Sequence, residues 1–266
     1  MRTVLAFLRA SWLTAASYRV NMLMSIGALV LAILPVYFVA RALQPMMAPS
    51  IAPQGGEYFA FLLVGLTCFT LLSTAVNALP QAITAGIQTG TLEALLATPQ
   101  HLPAVFGGLI SYDLIWAALR SLLLFAIGLS LGARVNWGHF AVSGAILALI
   151  VLAYLGLGML TAALIVAFRT SGPLIPGILT ASALLGGVYY PTTVIPSWVQ
   201  SLSVVIPLTY GLRALRQSLL EGAPLGAIGP DVTILLGWVA GSLALGSFAM
   251  SRALRYARRS GTLAQY

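Results

Sequence analysis

From Phe140 to Phe168 the chain reads FAVSGAILALIVLAYLGLGMLTAALIVAF, without a single charged residue. About 20 apolar residues suffice to carry a helix across the hydrocarbon core of a bilayer. A lipid-embedded backbone must satisfy its own N–H and C=O groups, so such a run can only be a helix packed among others. Comparable runs recur along the sequence. Their boundaries predict six spans, at Asn21–Leu43, Tyr58–Leu79, Ala104–Leu131, His139–Phe168, Pro173–Tyr190 and Val232–Met250. Only 7% of residues are charged and 60% are hydrophobic, whereas soluble domains carry roughly 25% charge. A water-soluble globule is excluded. The expected fold is an all-α membrane protein forming one transmembrane domain over residues 1–266.

Charge placement adds an orientation. The 13 basic residues are all arginine, and the formal net charge is +8. In a soluble chain that balance would suggest nucleic acid, but here the arginines sit at the ends of apolar runs, where they anchor and orient helices. No nucleic-acid partner is expected. Arg2, Arg9, Arg19, Arg169, Arg252, Arg255, Arg258 and Arg259 fall on one side; Arg41, Arg134, Arg213 and Arg216 fall on the other. The excess places both termini in the cytoplasm, consistent with six spans. Arg9 interrupts the first apolar run, so no cleaved signal peptide is expected. Leu5, Leu8 and Trp12, flanked by Arg2 and Arg9, instead predict a helix lying on the inner membrane surface. The single Cys68 leaves no disulfide framework or metal cluster to expect.

The connectors are short, with a Pro/Gly-rich loop over 44–56 and a turn over 132–138. Between Pro191 and Pro230 the sequence is too apolar for a free loop and too short for two spans. Pro191, Pro196 and Pro207 cut it into amphipathic pieces. These predict short re-entrant helices, bearing Tyr210 and Arg213, that dip into the outer face against protein. Were the stretch a further span, Arg213 and Arg216 would need partners inside the membrane.

The segment GTLEALLATP (90–99) stands apart, between two long apolar runs. Thr91 can cap a helix, with Glu93 in its first turn facing the positive end of the dipole. Leu92, Leu95 and Leu96 make one apolar face, and Thr98-Pro99 ends the helix. So short a helix is unstable alone in water and must dock. From its pattern alone, the dock could be lipid, its own bundle or another protein.

GTLEALLATP resembles the cytoplasmic coupling-helix signature of ATP-binding cassette exporter permeases of the type-2 family. SYR (17–19), GGEYFAFLLVGL (55–66) and YYPTTVIPSWVQSLSVVIPLTYGLRALRQSLLEG (189–222) are similar to that family's segments at the corresponding places. The resemblance implies that Gly90, Thr91, Leu92, Glu93, Leu95, Leu96, Thr98 and Pro99 form a helix inserted into a groove of a separate ATPase subunit. Family members often carry several charged residues ahead of this glycine; this chain has TAGIQT, so contacts from that segment are not carried over. The resemblance further implies two permease chains, expected to be a homodimer, and two ATPase chains in the bacterial plasma membrane. They would move a lipid, lipid-linked or other amphipathic substrate outward. ATP and Mg would bind the ATPase subunit, and this chain is expected to bind no cofactor and to catalyse nothing. A P-loop needs a lysine, and this sequence has none.

Asp113 and Arg120 lie inside the third predicted span. Seven helical residues place them about 20° apart around the axis and roughly 10 Å apart along it. Charge at this depth is paired or functional. The expectation is a buried pair, or pairing with backbone groups of other spans; a place in the substrate path and a proton relay are the alternatives. A secondary transporter or channel using these two residues without an ATPase is the rival function, and a non-transporting assembly factor is another. His101 and His139 are expected at membrane edges, and Glu57, Glu221 and Asp231 as outer-surface charges. No HExxH, paired carboxylates or Ser/His/Asp set indicates an intramembrane enzyme.

Overall fold

The computed structural model describes residues 19–91, 102–170 and 172–260, and these are helical throughout apart from short connections. The predicted N-terminal surface helix and most of the 90–99 segment lie outside them, as does His101. Eight α-helices occur among the described residues: α1 (Arg19–Ile51), α2 (Tyr58–Gln88), α3 (Leu102–Ser130), α4 (Phe140–Phe168), α5 (Leu174–Leu185), α6 (Ser197–Ser203), α7 (Pro207–Arg216) and α8 (Leu225–Ser260). Five of them, α1, α2, α3, α4 and α8, are long and apolar enough to cross a membrane. The chain is a multi-pass membrane protein.

Expected boundaries move at four places; the last span, expected over Val232–Met250, is the longer helix Leu225–Ser260, which continues through Pro230. The loop predicted over 44–56 shrinks, because α1 continues through Pro45 and Pro49 to Ile51. The turn itself sits at Gly55 and Gly56, whose φ values are 94° and 70°. Gln44 clamps it, donating to Gly56 O (2.7 Å) and accepting from the Tyr58 N–H (2.7 Å). The second span runs past Leu79 to Gln88. Pro80 removes one ladder bond, the one to the Val76 carbonyl, and the helix carries on to Gln88 nonetheless, with the Thr84 hydroxyl donating to the Pro80 carbonyl at 2.8 Å. The fifth span, expected over Pro173–Tyr190, is the 12-residue helix α5. At 1.5 Å per residue it is about 18 Å long, short of the roughly 30 Å hydrocarbon core. It stops because Gly186 and Gly187 follow, the latter at φ 80°.

The helix α2 is the most buried of the five and forms the centre of the bundle. It packs on α1, α3 and α4, and α4 packs in turn on α8. With little hydrophobic drive between helices in lipid, close contact depends on small residues. Such a contact joins α4 and α8, where a Cβ on Gly246 would lie 2.6 Å from Gly156 O. Polar side chains add bonds between helices, Thr70 with Ser121 (3.1 Å) and Tyr154 with Ser182 (2.6 Å).

The connections sort to two ends. At one end the Glu57 carboxylate accepts the Arg134 N–H (3.2 Å) and Leu219 O accepts the Asn136 N–H (2.7 Å). This end therefore gathers the α1–α2 turn, the α3–α4 turn and the approach to α8. The α2 C-terminus, the α4–α5 connection and the arginine-bearing end of α8 lie at the other.

Candidate functional site

The stretch from Pro191 to Pro230 is a string of short helices, as expected. A 3-10 turn (Thr192–Val194) precedes α6 and α7, and α7 runs into a π-helical turn (Gln217–Glu221). Pro207 opens α7 at its first position, where its missing N–H breaks no bond. Pro191 and Pro207 are buried and Pro196 is exposed. Tyr210 is buried, and its hydroxyl donates to Val204 O at 3.0 Å, tying α7 to the end of α6.

The two arginines of this stretch find partners, and both partner sets escaped the sequence reading. Arg213 donates through Nε to Asp231 Oδ2 (2.6 Å) and through Nη2 to Oδ1, a bidentate ion pair. Arg213 remains 47% exposed, while the Asp231 side chain is 8% exposed. Asp231 therefore belongs to the packed interior and not, as expected, to the outer surface. Arg216 is only 2% exposed. It donates to Gly187 O (2.8 Å), Val188 O (3.2 Å) and Phe61 O (3.1 Å). Its guanidinium also lies 3.4 Å from the centroid of the Phe61 ring.

Gly187 and Val188 follow the C-terminus of α5, where carbonyls lack intrahelical partners and the helix dipole is negative. One cation thus closes α5, α7 and the first turn of α2 into a unit. Gly65 makes room for it. A Cβ there would lie 2.5 Å from Val188 O and 2.8 Å from Arg216 Nη2. The "GGEYFAFLLVGL" and "PLTYGLRALR" segments, far apart in sequence, meet at this arginine. Only the unusual burial of a charge could have signalled it, and burial is not visible in a sequence.

Asp113 and Arg120 behave differently. Both are exposed on α3, and the expected buried pair is not formed. Among the described residues the ion pair within contact distance is Arg213–Asp231. Arg120 lies over the Trp116 ring, 5.4 Å from its centroid. The two charges line a groove of about 300 Å³ between α2 and α3, together with Ser73, Thr74, Asn77 and Gln81. Asn77 Nδ2 donates to Ser73 O (2.8 Å) and the Thr74 hydroxyl to Thr70 O (3.3 Å). A second cavity on the opposite side of the α2–α3 seam, about 160 Å³, is lined largely by apolar side chains including Val64, Leu71, Phe125 and Leu147. The polar groups are therefore concentrated in one groove.

Of the 90–99 segment, the structure describes Gly90 and Thr91. Gly90 ends α2 with φ 67°, and Thr91 Oγ1 lies 2.8 Å from Thr89 Oγ1. Leu92, Glu93, Leu95, Leu96, Thr98 and Pro99 lie outside the described residues. Glu57 and Glu221 sit at the loop end, and His139 is half-buried there. Among the described residues no group of three or more His, Cys, Asp or Glu could hold a metal ion.

The sequence model of the ABC-2 type transporter family matches residues 2–220. No curated protein matches the chain.

Proposed function

From the premise that this chain belongs to the ABC-2 type transporter family, we propose that it is the permease subunit of a bacterial ATP-driven exporter. Two copies would enclose the path, and two separate ATPase subunits would bind ATP and Mg. The cargo would be a lipid, lipid-linked or other amphipathic molecule moved outward. The short helix α5, with the re-entrant helices after it, would complete six spans within a dimer, both termini facing the cytoplasm.

The single observation that carries this reading is the family match across residues 2–220, which contains the GTLEALLATP segment. The segment joins the end of α2 to the start of α3, at the bundle end where α8 presents its arginines. An excess of arginine favours the cytoplasmic side. A coupling helix there would transmit closure of the ATPases to α2 and α3, the helices that flank it. Rigid-body movement of packed helices is the ordinary form of such a switch.

The test is copurification. Glu93→Arg reverses the charge at the helix N-terminus, and Leu95→Asp spoils its apolar face. Each variant is expected to lose most of the ATPase recovered with the wild-type permease while inserting into the membrane normally. Wild-type ATPase recovery and stimulation in both variants would remove the coupling assignment.

A further inference from the structure

The groove between α2 and α3 sits where a lipid-facing surface should be apolar. Asp113 and Arg120 straddle the middle of α3, and Ser73 lies at the middle of α2. Gln81 lies further toward the end where α3 begins. A carboxylate, a guanidinium, an amide pair and two hydroxyls at that depth cannot face hydrocarbon. They must face water, a second protein surface or a polar ligand.

We infer that the α2–α3 groove binds the headgroup of the transported amphiphile, and that this headgroup carries both an anion and a cation. The inference rests on the exporter reading and narrows its substrate class. Charge balance decides the head. Asp113 and Arg120 form no ion pair with each other, and together they contribute no net charge to the groove. A purely anionic head would satisfy Arg120 and repel from Asp113; a purely cationic head would do the reverse. A zwitterion, with phosphate toward Arg120 and amine toward Asp113, satisfies both in a medium of low dielectric. Arginine suits phosphate because its planar fork offers paired donors. The Trp116 ring lies under the guanidinium, 5.4 Å from it at the centroid. Asn77 and Gln81 supply uncharged hydrogen-bonding groups along the α2 wall. The volume, about 300 Å³, reaches the lower end of the range for small-molecule sites. Acyl chains would remain outside the groove, along the apolar flank formed by Ile115, Leu119 and Leu122 on α3, which are exposed.

The probes are short-chain phosphatidylethanolamine, a zwitterion, and short-chain phosphatidylglycerol, an anion of similar size. Each is titrated onto the full chain in an uncharged detergent, and bound lipid is counted by native mass spectrometry. Wild type is expected to bind the ethanolamine lipid at least tenfold more tightly than the glycerol lipid. Arg120→Gln should weaken ethanolamine-lipid binding at least tenfold. Asp113→Asn should erase the preference by lowering ethanolamine-lipid affinity to the level of the glycerol lipid. Thermal midpoints within a degree of wild type establish that both variants are folded. Equal affinity for the two lipids in wild type, or an unchanged preference in both variants, overturns the inference. So does a shift from dimer to monomer in both variants with lipid binding intact, because the groove is then an interface between copies. ATPase copurification is scored separately in the same preparations. Lost ATPase binding by wild type with the lipid pattern intact would refute the exporter and leave the groove's ligand standing; the converse refutes the groove alone.

Discussion

At the loop end of the bundle, Arg216 is 2% exposed and donates to three backbone carbonyls. On α3, Arg120 lies at the surface, and its guanidinium meets the ring of Trp116. Arg213 and Asp231 hold each other, whereas Asp113 and Arg120 do not. Hydropathy would have ranked these groups the other way round. The charges in the apolar run are open, whereas Arg216 and Asp231 at the loop end are enclosed. Depth along the sequence pattern does not say whether a charge is satisfied; the neighbouring helices do. A charge whose hydrogen-bonding capacity is taken up by protein serves the fold, and one left open in a groove is available to something else.

The hardest test of the first half of that contrast is Arg216→Met. Methionine fills similar space, but it leaves the carbonyls of Gly187 and Val188 buried at a helix end without donors. Each such orphan costs about 1–3 kcal/mol, so the variant should lose about 2–6 kcal/mol of stability. Loss of the arginine over the Phe61 face adds to this. Replacing a buried ion pair by apolar groups can be neutral because both partners leave together; here the partners are backbone and cannot leave. Arg216→Lys should recover part of the loss, since an ammonium has three donors but cannot span Phe61 and Gly187 as the fork does. Thermal denaturation in detergent reads both. A Met variant as stable as wild type would mean that Arg216 is not what closes α5 onto α2.

Much of the fold was legible because membrane spans obey a one-dimensional rule. The starts of α2 and α4 fall on or beside their expected residues, and the short helices between Pro191 and Pro230 are present. Boundaries failed where proline lies inside a helix that continues, as α1 does through Pro45 and Pro49 and α2 through Pro80; packed neighbouring helices make such prolines tolerable. The Gln44 side chain fixes where the turn after α1 falls, and no hydropathy count registers it. The α5 helix ends early at Gly186 and Gly187, and Arg216 takes up the freed Gly187 carbonyl, a contact made across 29 residues of sequence. The groove was half legible. Asp113 and Arg120 announced themselves as charges in a span, but Ser73, Thr74, Asn77 and Gln81 read as tolerable polar residues on α2. Only the packing of α2 against α3 shows that all six line one space.

A smaller effect separates the two partners at the loop end. Arg213→Ala strands Asp231, whose side chain is 8% exposed, whereas Asp231→Ala leaves an arginine that is 47% exposed and can turn to water. The arginine change should therefore cost more, about 1–3 kcal/mol, against about 1 kcal/mol or less for the aspartate change. Denaturation of the two single variants in the same detergent measures the asymmetry. Equal losses would mean that Asp231 keeps access to solvent and that the pair is an ordinary surface bridge.

The smallest effect belongs to the groove, and its smallness is the point. With no ion pair between Asp113 and Arg120, the stability changes of Asp113→Ala and Arg120→Ala should add in the double variant, within roughly 0.3–0.5 kcal/mol. Each single change removes an exposed side chain, and such surface substitutions stay within about 0.5 kcal/mol. The same cycle on Arg213 and Asp231 should give a coupling outside that margin, because those residues share two hydrogen bonds. Running both cycles under one condition makes each the control for the other. If Asp113 and Arg120 couple as strongly as the loop-end pair, they form a structural bridge in the assembled protein, and the contrast between the two regions collapses. If they do not couple, removing either charge leaves the bundle intact, and any loss of transport in those variants must come from what enters the groove.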